Sequence, residues 1–327
     1  MKDLHEWESS LRERVEKINR RLIESVACDQ EDLQKMSEYV IEAGGKRLRP
    51  ILTLLSYSIA SDKPYEEILD LAVATELVHT ASLIHDDIID NSDMRRGRET
   101  LGSKYGIYNA IVVGDYLFTK AYELASRYGP EVSRIMAQGA MKMAEGQILE
   151  YDNLGNLGMS EKTYLDIISR KTADLFSVCA RGAAEAAGAD KKTAGDLGQF
   201  ALSLGMAFQI TDDILDIIGN EETLGKPIFV DIAHSAITLP VIHALSRNDS
   251  ISESIRSILT DKEHLKDQRE KLKNLFLESG SIEYSLQMAK DYVMQSIDSL
   301  KDTGKSPDLD TLMDLSIIVI DRISSIA

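Results

Sequence analysis

Apolar residues recur at helical spacing along almost the whole chain, interrupted only by glycine and proline punctuation. The breaks fall at Gly44-Gly45, Ser61–Pro64, Asn91–Gly97, Gly129-Pro130, Gly155–Gly158, Gly188, Gly219–Pro227 and Gly304–Pro307, and the pieces between them are helix-length. From Glu66 to Asp90 the pattern predicts one long helix carrying Leu69, Ala72, Val73, Leu77, Ala81, Ile84 and Ile88. A helix apolar on most sides is a buried one. Phe200–Ile218 reads the same way, whereas beyond about residue 250 the helices become amphipathic and charged, as outer helices are. No linker separates a second domain. The chain is therefore expected to be one domain over 1–327, with outer amphipathic helices over 246–327.

Composition agrees with an all-α fold. There are only six prolines in 327 residues and 6% aromatics, and Leu, Ile, Ala, Met, Glu and Lys dominate, which disfavours a sandwich or barrel. The hydrophobic share of 43% is ample for a core. A net charge of −17 without a Lys/Arg run excludes an ordinary nucleic-acid binder, and fits a cytoplasmic protein or one that collects cations. Cys28 and Cys179 are too few for a disulfide framework or a zinc quartet. The amphipathic, charged start "MKDLHEWESSLRERVEKINRRL" does not read as a signal peptide. No apolar run approaches the ~20 residues of a transmembrane segment. Dinucleotide, P-loop and HExxH motifs are missing.

The candidate chemistry lies in "HDDIID" (His85–Asp90) and "TDDILD" (Thr211–Asp216). On a helix Asp86 and Asp87 diverge by about 100° and Asp90 falls between them, so three carboxylates crowd one arc. Asp212, Asp213 and Asp216 repeat the arrangement. A single DxxxD is usually a solvated acidic face, but the neighbours here are Ile88, Ile89, Ile214, Leu215 and Ile217, which predicts burial. Unpartnered buried carboxylates do not stay ionised. A calcium-loop pattern is missing, which leaves a hard divalent cation of the magnesium kind, held by a few carboxylates and a phosphate-bearing substrate. The cations in "GGKRLRP" (Gly44–Pro50) fit a phosphate: Lys46, Arg47 and Arg49 lie just ahead of a helix expected to start at Pro50. After Asp90, the turn formers Asn91, Ser92 and Asp93 can end the helix and let Arg95 and Arg96 fold back.

These words resemble the trans-isoprenyl (polyprenyl) diphosphate synthases. The match runs through "GGKRLRP", "ELVHTASLIHDDIIDNSDMRRG", "SRKTADLF", "GMAFQITDDILDIIG" and "LGKP…DI…TLP", in order over roughly residues 25–245. The resemblance implies an all-α fold around a deep cavity, usually in a homodimer. It implies three Mg²⁺ ions between Asp86, Asp87, Asp90 and Asp212, Asp213, Asp216, bridging to the diphosphate of an allylic substrate. By the same carry-over Lys46, Arg49, His79 and Arg96 bind isopentenyl diphosphate. Arg95, Lys171 and Lys226 grip the allylic diphosphate, and Thr172 and Gln209 border the reacting carbons. His79 and His85 have a plainer alternative as hydrogen-bonded core histidines.

Short-chain relatives place a bulky aromatic four or five residues ahead of the first aspartate, where this chain has Ser82 and Ala81. With Val78, Thr75 and Ala74 further down the helix, ~16 Å of extra depth is expected, and hence a product longer than farnesyl. The alternatives are a farnesyl or geranylgeranyl synthase, a terpene cyclase, or a low-activity subunit that binds prenyl diphosphates. Lys46 and Arg49 argue against a cyclase, and six retained aspartates argue against the subunit. The family usually reads GKPxGxDxxxGKxTLP where this chain reads "GKPIFVDIAHSAITLP". Phe229 replaces a glycine, and His234-Ser235 is read as replacing Gly-Lys.

Overall fold

The computed structural model of the protein describes residues 11–221, 228–261, 264–265 and 267–324. Its helices, in chain order, are α1 (Arg12–Ser25), α2 (Glu31–Glu42), α3 (Leu48–Ala60), α4 (Leu69–Ile89), α5 (Leu101–Tyr105), α6 (Ile107–Ser126), α7 (Pro130–Tyr151) and α8 (Glu161–Ile168). They continue with α9 (Asp174–Ala187), α10 (Lys191–Ile218), α11 (Val230–Ala233), α12 (Leu239–Ser246), α13 (Ser250–Thr260), α14 (Arg269–Glu278), α15 (Ser281–Ser299) and α16 (Pro307–Ser324). One two-stranded ladder, β1 (Met94–Arg95) with β2 (Arg98–Glu99), interrupts the helical order among the described residues. Gly44-Gly45, Ser61–Pro64, Asn91–Gly97, Gly155–Gly158 and Gly188 fall between helices, Pro130 and Pro307 open α7 and α16, and the Gly219–Pro227 break runs on into residues outside the description.

The chain forms two compact units. The first holds residues through Ala140 together with Phe176–Ala201 and Asp302–Leu315. Its centre is α4, preceded by a 3₁₀ turn (Tyr65–Ile68) and packed against α3 and α6. Leu71, Ala72, Val73, Ala74, Leu77, Val78, Ala81 and Ile84 are buried there, which is why the helix is apolar on most sides. By length and composition Tyr65–Ile89 does pass for a membrane span, contrary to the sequence reading, yet 67% of its apolar window is buried, as a core helix would be. Buried Arg47, not Pro50, sets the start of α3. It takes the left-handed conformation (φ 53°), and Pro50 becomes the third helical residue, where no intrahelical N–H bond is due.

The second unit holds Met141–Leu175, Leu202–Lys301 and the residues from Ser316 on. Its core gathers Ile210, Ile214 and Leu215 of α10 with Tyr164 and Ile167 of α8, Leu239 and Val241 of α12, Phe276 of α14 and Ile323 of α16. Local signals set its helix starts: Ser160 caps α8 through the Thr163 N–H, and Asp249 with Ser252 forms a capping box on α13.

Candidate active site: two carboxylate half-sites

In the first unit α4 ends one residue before Asp90, which is its C-cap. Carboxylates at a helix C-terminus oppose the macrodipole, so the end of α4 needs positive charge. Asp87 is buried and receives a hydrogen bond from Arg95 Nε at 2.7 Å. Burial raises its carboxyl above the usual range, and Arg95 opposes that rise. Asp86 is half-buried and Asp90 exposed, so the burial predicted from the apolar neighbours holds fully only for Asp87: the helix stops there, and its last aspartate meets solvent.

Arg95 reaches Asp87 because Arg96 and Gly97 form a two-residue turn with positive φ at both positions (52° and 74°), the primed geometry that suits a hairpin. Arg96 extends from the turn to donate to the Gly44 carbonyl. A Cβ on Gly45 would lie 2.8 Å from Arg96 Nη1, so this approach needs glycine. His79, Arg95, Arg96, Arg98, Thr80 and Asp87 line a small cavity of about 40 Å³. Burial, then the charges of Arg49, Arg96, Arg95 and Arg47, hold the His79 imidazole well below its usual pKa and hence neutral at pH 7. Arg49 lies over the Phe176 ring at 4.8 Å, and Lys46 is exposed. Arg47 turns inward instead, bonding Glu76 at 2.7 Å, Asn19 and the Ile41 carbonyl. His85 packs against α6, stacked on Phe118 where Gly114 leaves room for its ring.

Helical spacing puts Asp86, Ser82, His79 and Thr75 on one face of α4. Ala74, Thr75, Val78 and Ala81 have no exposed surface, and Ser82 is half-buried with its hydroxyl on the His79 carbonyl. Thr75 donates to the Ala72 carbonyl and lies 3.5 Å from Thr53 Oγ1.

In the second unit a single turn of π-helix (Ser169–Ala173) carries Lys171 and Thr172, a wide turn of the kind often found at functional sites. Gly146 of α7 permits it: a Cβ there would sit 2.8 Å from the Lys171 nitrogen. Lys171 is ion-paired to Glu150. Thr172 donates to Gln209 Oε1 at 2.9 Å, and Gln209 Nε2 donates to Asp213 at 2.8 Å. The buried Tyr164 hydroxyl gives the other Asp213 oxygen a bond of 2.6 Å. Burial outweighs these two donors and, with Asp212 and Asp216 nearby, pushes the Asp213 carboxyl up to about 7. Asp216 accepts the backbone N–H groups of Val230 and Asp231, and Asp212 pairs with Arg322 at 2.7 Å. A cavity of about 160 Å³ is lined by Lys171, Thr172, Gln209, Asp213, Asp231 and Ala236, among others. Lys226 lies outside the described residues.

The departures from the family pattern also take shape here. Phe229 is buried in the left-handed region (φ 60°), where glycine is at home. The second such position is Ser235 (φ 65°), not His234. The reading is corrected by one residue: Ser235 stands for the glycine, and Ala236, on the cavity wall, for the lysine.

Sequence reasoning missed Arg322, Tyr164, Glu150 and Gly146. Each acts across the fold, and no local motif marks it. Among the described residues no three carboxylates already converge on one cation position. The donors are nevertheless all oxygen, few per half-site, and partly turned to protein partners. That suits an ion that keeps its waters and completes its shell with substrate phosphate better than a closed protein cage.

The polyprenyl synthetase family model matches residues 30–276. Octaprenyl diphosphate synthase of Haemophilus influenzae is 31% identical over 314 residues, covering 94% of each chain. A short chain isoprenyl diphosphate synthase of Methanothermobacter thermautotrophicus is 34% identical, covering 95% of this chain and 97% of the relative. Among solved structures, the polyprenyl synthase of Caulobacter crescentus complexed with calcium and isoprenyl diphosphate superposes with a TM-score of 0.90 at 30% identity, over 97% of both chains. Two aspartate half-sites, each with its own attendant cations, on a helical framework shared nearly end to end with these synthases, make the chain a member of the polyprenyl synthetase family of prenyltransferases.

Proposed function

We propose that the chain condenses isopentenyl diphosphate head-to-tail with an allylic diphosphate to give an all-trans polyprenyl diphosphate longer than farnesyl. The observation that carries this reading is the first half-site, where Asp86 and Asp87 end a buried helix beside a cavity lined by His79, Arg95 and Arg96. His79 and Arg96, with Lys46 and Arg49, are assigned to the isopentenyl diphosphate, while Arg95 bonds Asp87. Lys171, Lys226 and Arg95 are assigned to the allylic diphosphate, and Thr172 and Gln209 to the edge of the reacting carbons. Three Mg²⁺ ions held by Asp86, Asp87, Asp90, Asp212, Asp213 and Asp216 would supply the charge that makes diphosphate a competent leaving group. The diphosphate departs with the electrons of its carbon–oxygen bond. The isopentenyl double bond then supplies the new carbon–carbon bond, and a proton leaves. Neutral His79 donates a hydrogen bond without adding charge.

Chain length rests on Ser82 and Ala81 being small. The closed packing of Ala74, Thr75, Val78 and Ala81, and the short-chain Methanothermobacter relative, favour the rival reading of a farnesyl or geranylgeranyl product. Product analysis with labelled isopentenyl diphosphate decides: chains of about twenty-five carbons or more are expected, chains stopping at about twenty carbons would bear out the geranylgeranyl rival, and fifteen-carbon chains alone would overturn the proposal. Ser82→Phe, one turn from Asp86, is expected to shorten whatever the unaltered enzyme makes.

Ala236 removes a positive charge from the cavity that holds Lys171. Ala236→Lys is expected to lower the KM for the allylic substrate several-fold, roughly 3–10, while leaving that for isopentenyl diphosphate in place. Unchanged constants would make the replacement neutral drift. We also read the chain as a single cytoplasmic synthase domain acting as a homodimer. The exposed apolar run Ile107, Tyr108, Ile111 and Val112 on α6 supports pairing, which sedimentation velocity measures directly.

A further inference from the structure

Arg322 belongs to none of the motifs above. It lies in the last turn of α16, where positive charge complements the helix dipole. Ile318, Val319 and Ile323 beside it are buried, so α16 arrives at this point as an anchored helix. The guanidinium places Nη2 2.7 Å from Asp212 Oδ1 and its carbon 5.3 Å from the centre of the Phe208 ring, one helical turn before Asp212. Both side chains are largely shielded, at 18% and 25% exposure, so the pair is screened less than a surface pair.

The neighbouring aspartates are engaged differently. Asp213 is bonded at both oxygens by Tyr164 and Gln209, and Asp216 holds two backbone N–H groups. A divalent ion approaching this triad would therefore meet Asp212 as its most available oxygen donor, with Arg322 already on it. Resting on the metal-site reading proposed above, we infer that Arg322 is a positioning residue that sets the metal affinity of Asp212. It is a standing counter-ion that holds the carboxylate in place and that a metal must displace. The consequence is a site that takes metal weakly alone and well only when a diphosphate supplies compensating charge.

The test is Mn²⁺ binding to the full chain, read by electron paramagnetic resonance of the free ion, without and with inorganic pyrophosphate. Arg322→Gln is expected to bind Mn²⁺ about three- to fivefold more tightly without pyrophosphate. With pyrophosphate present the gain should shrink or reverse. Arg322→Lys, which keeps the charge, should stay near the unaltered protein. Phe208→Leu loosens the guanidinium's seat without changing any charge, and should shift affinity in the same direction by less. It also keeps the test available if Arg322→Gln folds poorly, as a thermal melt would reveal. Equal or weaker Mn²⁺ binding by folded Arg322→Gln overturns the inference and leaves the metal-site reading standing. Failure of every protein, the unaltered one included, to bind Mn²⁺ even with pyrophosphate overturns both.

Discussion

An Asp86→Ala variant is expected to lose roughly 10³- to 10⁴-fold in turnover at saturating Mg²⁺ and substrates, with its helical circular dichroism unchanged. The magnitude follows from the role: an oxygen donor to cations that neutralise the leaving diphosphate acts mainly in the transition state, where lost electrostatic stabilisation is felt in the rate. The fold should tolerate the change, because Asp86 is only half-buried at the end of α4 and its charge there opposes the helix dipole. Asp87→Ala is a less clean experiment. It also strips Arg95 of a buried partner and so disturbs the hairpin. Turnover of Asp86→Ala within tenfold of the unaltered enzyme would remove the first half-site from the mechanism.

Glu76→Gln is expected to produce the largest loss of stability, about 3–5 kcal/mol in urea unfolding. Arg47 and Glu76 are 4% and 5% exposed, and the variant leaves the guanidinium charge buried without its counter-charge. Arg47→Met combined with Glu76→Leu removes both charges together and should cost much less, since a buried pair is often replaceable by apolar groups of similar volume. The effect should also reach the site, because Arg47 ties the Gly44-Gly45 loop to α4 through Glu76 and the Ile41 carbonyl. A single-variant loss under 1 kcal/mol would show that the pair adds little.

Much of this was legible before any coordinates. Periodicity located α4 and the buried half of α10, and glycine and proline located the breaks, because both signals are local. The two aspartate words were legible too, since like charges on apolar helices demand an outside explanation. What periodicity could not show was where charge ends up. Arg47 and Arg49 look alike in "GGKRLRP", yet one is swallowed by Glu76 and the other lies over Phe176. Asp90 looks as buried as Asp87 until the helix is seen to stop beside it. The one-residue misreading at His234-Ser235 has a different cause: letter by letter, the family pattern already sets Ser235 against the glycine and Ala236 against the lysine, and the positive φ of Ser235 agrees. Tyr164 and Arg322 meet their aspartates from 49 and 110 residues away in sequence.

The bonds from Asp216 to the start of α11 bear on how any future mutant series is interpreted. Its carboxylate is the clasp on the backbone at Val230 and Asp231, and its own carbonyl receives the Phe229 N–H at 2.7 Å. Truncating that side chain would unfasten the segment leading to Asp231 and Ala236 as well as deleting an anionic ligand, so a dead enzyme would say nothing about which loss killed it. An asparagine at the same place drops the formal charge but keeps only one of the two bonds, because its amide nitrogen cannot accept from an N–H, so the alanine and asparagine variants together bound the architectural share of any loss.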